Sequence, residues 1–119
     1  MVDFKMKTKP NWIITPQKVD AAINKILEVS KPKKLILFGS YVTGKIGLNS
    51  DLDILVVTRE EIGSPRKESV RIRRALRDIS IPMDILVIPE TRLNKLANIP
   101  GLIYKEALER GKVVYESTE

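Results

Sequence analysis

The chain has 119 residues, 21 Lys or Arg against 15 Asp or Glu, a formal net charge of +6, and neither Cys nor His. That length suits one domain with a modest core. The missing residue types exclude a disulfide framework, a thiolate nucleophile, a histidine general base and an ordinary zinc site, so any catalysis falls to carboxylates. The apolar runs are far shorter than the ~20 residues needed to span a bilayer. Met1 to Pro10 has lysines but no long apolar stretch, so no secretory signal is read there and a cytoplasmic protein is expected.

Residues 1–14 are expected to form a loosely held arm, with Trp12, Ile13 and Ile14 docking on the core, ahead of a single domain at 15–119. Thr15-Pro16 starts a helix, with a hydroxyl cap and a proline in the first turn. Val19, Ala22, Ile23, Ile26 and Leu27 follow helical spacing, and Lys31-Pro32 ends the run. Lys34 to Phe38 is apolar on both faces and predicts a central strand. Gly39-Ser40 turns the chain into a short helix or loop ending near Gly44, and Lys45 to Ser50 is a glycine-containing loop.

Asp51 to Val57 predicts the second strand. Ser64-Pro65 caps a helix through Ser80, with Val70, Leu76 and Ile79 toward the core, and Ile81-Pro82 breaks it. Met83 to Ile88 is the third strand. Thr91 is read as the cap of a short helix through Ala97, interrupted at Pro100-Gly101. Helix resumes from Leu102 to Arg110, Gly111 stops it, and Lys112 to Tyr115 forms a last short strand. This order predicts an α/β (α+β) domain, a small mixed β-sheet flanked by helices.

The charge is uneven. Between Ser64 and Ser80, six basic residues (Arg66, Lys67, Arg71, Arg73, Arg74, Arg77) face two acids, Glu68 and Asp78. Such a helix is either a solvated surface or a face for phosphates, RNA or an acidic protein.

The chemistry rests on acids in apolar strands, which are costly unless something offsets their desolvation. Asp51 and Asp53 stand at i and i+2, so their side chains project together, on the order of 7 Å apart at Cα. Alone, Asp-x-Asp is compatible with a cap or turn acid. Asp84, flanked by Met83 and Ile85, adds a third carboxylate if its strand neighbours the second. Three converging carboxylates repel one another unless a cation is bound, and a divalent metal held by oxygen ligands suits phosphate chemistry. Gly39 permits a close backbone approach to a ligand, and Ser40 adds a hydroxyl donor. By itself a Gly-Ser pair after a strand is also an ordinary turn. The metal reading requires Asp84 to face its two companions. An Asp84 turned away, or locked to an arginine, would remove it. Tyr41, Tyr104 and Tyr115 are read as packed side chains, although Tyr41 is placed to stack on a base.

At Leu37-Phe38-Gly39-Ser40-Tyr41-Val42-Thr43-Gly44, Ser50-Asp51-Leu52-Asp53-Ile54-Leu55-Val56-Val57 and Met83-Asp84-Ile85-Leu86-Val87, the chain resembles the minimal nucleotidyltransferases of the polymerase-beta-like superfamily. The Gly-Ser turn, the acid-apolar-acid strand and the later third acid occur in the family's order. Lys34 to Ile88 carries the likeness closely, and the last part of the chain matches only in general style. The resemblance implies a polymerase-beta-like nucleotidyltransferase fold and Mg²⁺-dependent transfer of a nucleoside monophosphate, AMP from ATP, to an acceptor hydroxyl. It implies that Asp51, Asp53 and Asp84 hold two metal ions, with Asp84 nearest the acceptor, and that Gly39 and Ser40 grip the triphosphate. Small stand-alone members are commonly encoded beside a HEPN partner. There they act as the antitoxin of a HEPN/MNT pair and attach AMP to a tyrosine of that toxin. The alternative is an antitoxin or interaction module that neutralises its partner by binding alone.

Overall fold

The computed structural model describes residues 11–47, 49–60 and 63–118. Helix α1 (Pro16–Val29) begins where Thr15 Oγ1 accepts the Lys18 amide at 3.3 Å, with proline in the first turn. It buries Val19, Ala22 and Ile26, and ends just before Lys31, whose φ of 51° turns the chain into Pro32. Strand β1 (Lys34–Phe38) is buried from Leu35 onward. The short α2 (Ser40–Thr43) follows Gly39 directly, and β2 (Leu52–Thr58) is buried except at Asp53. Then come α3 (Pro65–Ala75), β3 (Met83–Pro89), α4 (Glu90–Leu96), α5 (Ile103–Arg110) and β4 (Lys112–Glu116).

The strands form one mixed sheet in the order β3-β2-β1-β4. β1 runs antiparallel to both β2 and β4, while β2 and β3 are parallel. The expected small mixed sheet flanked by helices is the observed one, and β1 and β2 are its central strands. Side-chain alternation divides the core into two layers. Leu35, Leu37, Ile54, Val56 and Ile85 pack with α1 and α3 residues, including Ile26 and Ile72. Ile36, Phe38, Leu55, Val57 and Ile88 pack with Leu93 of α4 and Ala107 of α5. The last turn of α5 presses on β1: a Cβ at Gly111 would meet Ala107 O at 2.2 Å and Ile36 Cγ2 at 2.7 Å.

Several expectations are corrected. Asp51 lies just before β2 rather than inside it. α3 stops at Ala75, not Ser80. The Leu76 amide is shared between Ile72 O and Arg73 O, and beyond it the backbone bonds tighten to three-residue spacing, Arg77 N–H to Arg74 O and Ile79 N–H to Leu76 O. Val70 is 44% exposed, and Ile72 is the fully buried residue of α3. The two are about 200° apart around a helix, so they cannot both face the core. Thr91 caps nothing: the chain enters α4 straight from Pro89, and the Thr91 amide donates to Glu60 Oε2 at 2.9 Å. Trp12 is 48% exposed, while Ile14 packs on the α1/α3 layer. Residues 1–10 of the expected arm lie outside the described residues. Among the described residues no helix is long and apolar enough to cross a membrane.

Candidate active site

The acids and the Gly-Ser turn meet at one end of the sheet because of register. Antiparallel pairing sets Phe38, the last residue of β1, opposite Asp53. Parallel pairing sets Asp53 opposite Asp84, and the Leu52 amide donates to Pro82 O at 2.9 Å, aligning the starts of β2 and β3. Asp53 alternates with Leu55 and Val57, and Asp84 with Leu86 and Ile88, so both lie on the α4/α5 face. Neighbouring strands are about 4.8 Å apart, which makes Asp53 and Asp84 side-by-side neighbours. Asp51 is exposed at the mouth of the same end.

Gly39 sits against this carboxylate. Its φ of 79° and ψ of −156° suit glycine, and a Cβ there would stand 2.1 Å from Asp53 Oδ2. The turn thus wraps over Asp53, and Ser40 opens α2 beside it. Tyr41 packs on the α1/α3 layer, as expected of a core tyrosine, and Tyr104 and Tyr115 also pack against core residues.

The electrostatics are those of crowded acids. The Asp53 carboxyl is pushed up to about 6, by burial first and then by the charges of Asp84, Asp51 and Glu106. Glu106, on α5, was not anticipated from the sequence; its approach depends on α5 folding over the sheet, which no local spacing reveals.

Asp84 has another neighbour. Arg73 Nη2 of α3 stands 3.7 Å from Asp84 Oδ1, and each side chain keeps 49% of its exposure. The same Nη2 donates to Ile85 O at 3.1 Å, and Arg73 Nε donates to Ser69 Oγ at 3.3 Å. Asp84 therefore faces the same side as Asp53 but touches an arginine, the contact that counts against a metal site. Among the described residues, no three acidic side chains are gathered as a ready set of metal ligands. The chemistry of the donors nonetheless fits a hard divalent cation. They are carboxylate oxygens on one face, close enough to raise Asp53 by mutual repulsion, beneath a turn that leaves no room for a side chain.

A family profile described as "Polymerase beta, Nucleotidyltransferase" matches residues 21–119. No curated protein matches the chain. Among solved structures, a toxin–antitoxin crystallised with AMP-PNP is 22% identical, with a TM-score of 0.52 over 83% of this chain and 74% of that one. A protein of Sulfolobus solfataricus, provisionally described as a nucleotidyltransferase, is 15% identical, with a TM-score of 0.58 over 84% of this chain and 78% of that one. At these identities the two structures are similar in fold.

Proposed function

The chain belongs to the polymerase beta nucleotidyltransferase family, and on that footing we propose that it transfers AMP from ATP to an acceptor hydroxyl, a tyrosine of a HEPN-type toxin, and so acts as an antitoxin. The observation that carries this reading is the pairing of Asp53 with Asp84 across β2 and β3, two residues after Asp51 and under Gly39. The toxin–antitoxin neighbour, crystallised with an ATP analogue, supports both the nucleotide and the role. Asp51, Asp53 and Asp84 would hold magnesium, which when bound neutralises charge on the entering and leaving oxygens of an in-line displacement. Gly39 offers backbone at close range and Ser40 a hydroxyl to the triphosphate. Asp84, on the outer strand of the sheet, would accept the proton of an incoming hydroxyl.

Incubation with labelled ATP, Mg²⁺ and the neighbour-encoded protein should label that protein, and Asp53→Ala should not. Equal labelling by both would end the reading. The contact between Arg73 and Asp84 favours a second reading, an antitoxin that neutralises by binding alone. Full protection of cells by the Asp51→Asn, Asp53→Asn and Asp84→Asn variants would select it.

A further inference from the structure

We propose that the groove between α3 and the outer edge of β3 is the docking site for an acidic, extended segment of a partner protein, the segment that carries the acceptor hydroxyl. This identifies the acceptor's chemistry and rests on the transferase reading above. β3 is an edge strand. Beside it lies a groove of about 260 Å³ floored by Leu76, Ile79, Met83 and Ile85, with Arg73 and Arg77 on its rim. Both arginines are exposed and both line the same groove. Glu68, which could have answered this charge, is engaged by Arg71 at 2.9 Å and by the Ser30 hydroxyl. The C-terminal half of the segment then sets Arg73, Arg74 and Arg77 against the single acid Asp78.

Charge and shape together choose the occupant. A strongly basic rim over an apolar floor fits a segment that alternates carboxylates with apolar side chains. A single-stranded nucleic acid would want aromatic platforms for its bases, and the described residues that line this groove include none. Plain strand addition is disfavoured at the middle of the edge, because Ile85 O already accepts from Arg73. Recognition therefore runs through side chains.

The groove also leads to the acids. Arg73 starts on the α1/α3 side of the sheet, passes the β3 edge at Ile85 O, and reaches Asp84 on the opposite side. A partner carboxylate that takes Arg73 replaces Asp84 as its partner, and leaves Asp84 beside Asp53 with the acceptor segment alongside.

The test is fluorescence anisotropy with a labelled synthetic peptide of alternating Glu, Leu and Asp around one Tyr. A Gln/Asn analogue of it and an oligouridine serve as competitors. The acidic peptide should bind, and binding should weaken as salt rises. Arg77→Glu should weaken it by about tenfold or more. Arg66→Glu, about 10 Å along the helix axis from Arg73 and beyond the screening length at physiological salt, should leave it unchanged. Met83→Gln, which keeps every charge, should also weaken it. Four results would overturn the proposal: no binding of the acidic peptide, wild-type affinity in Arg77→Glu, equal binding of the neutral analogue, or tighter binding of oligouridine. Because anisotropy needs no turnover, a protein that binds the peptide but labels nothing refutes the transferase reading alone. One that labels its neighbour but ignores the peptide refutes the docking site alone.

Discussion

Replacing Asp53 by asparagine should make the protein more stable at neutral pH while removing its proposed activity. The reasoning starts from a carboxyl raised from 3.8 to about 6 by burial, Asp84, Asp51 and Glu106. A raised carboxyl means that the folded chain binds its proton more tightly than the unfolded chain does. The associated stability is fully present below pH 3.8 and is lost as pH climbs to about 6. Above that, an ionised Asp53 weighs against the fold. A shift of about two units sets a ceiling of about 3 kcal/mol. Asp53 is only half-buried, so water screens most of it and about 1 kcal/mol is the expected remainder. Asp53→Asn should therefore gain about 1 kcal/mol near pH 7.5, a rise in Tm of roughly 4 °C for a chain of this size. Near pH 3.5 the two proteins should be alike, since both side chains are then neutral. Urea unfolding followed by circular dichroism, with EDTA present, measures both conditions. A variant less stable than wild type near neutrality, or a gain of the same size at both pH values, would refute the account of Asp53 as a strained carboxylate.

Magnesium at about ten times its Kd should stabilise the wild type by about 1.4 kcal/mol and leave Asp53→Asn unmoved, as read by thermal melts with and without the ion. Gly39→Ala should lose roughly 1–3 kcal/mol from its backbone angles alone. The displaced atom is Asp53 Oδ2, so a double-mutant cycle with Asp53→Ala should recover part of the loss in urea titrations. In α3, Ile72→Ala should lose about 2–5 kcal/mol, whereas Val70→Ala should stay within about 0.5 kcal/mol. Comparing their urea midpoints checks which apolar residue of that helix faces the core.

Where the sequence speaks through local spacing, the fold can be read from it. Leu35 to Phe38 contains no polar residue, and β1 is buried from Leu35 onward at the centre of the sheet. Thr15 and Ser64 each precede a proline, and each accepts an amide at the start of its helix. The acids at i and i+2 were legible for the same reason. Misreadings fall where several apolar residues compete for one face or where a distant group intervenes. Leu76 and Ile79 prolong the apolar pattern of α3 although Leu76 makes the last four-residue bond and three-residue bonds follow it. Thr91 looks like a cap until Glu60, far away in sequence, supplies the acceptor to its amide. Glu106 and Arg73 reach the acids only through the packing of α5 and α3, so no motif could have announced them.

Arg73 decides how much of the metal reading survives. Its contact with Asp84 is 3.7 Å long and half exposed on both sides, and ion pairs of that kind contribute about 0.2–1 kcal/mol. The guanidinium is held at closer range by Ile85 O and Ser69 Oγ, so it does not need Asp84 to keep its place. Repulsion by Asp84 is the second cause, after burial, of the raised Asp53 carboxyl, and it lies within the ceiling of about 3 kcal/mol set by the whole shift. A cation placed between Asp53 and Asp84 would turn that repulsion into attraction on both sides, at the cost of one exposed pair. On the metal reading the arginine would be a resting partner that Asp84 exchanges, and the weak, half-exposed contact is one that a cation could displace.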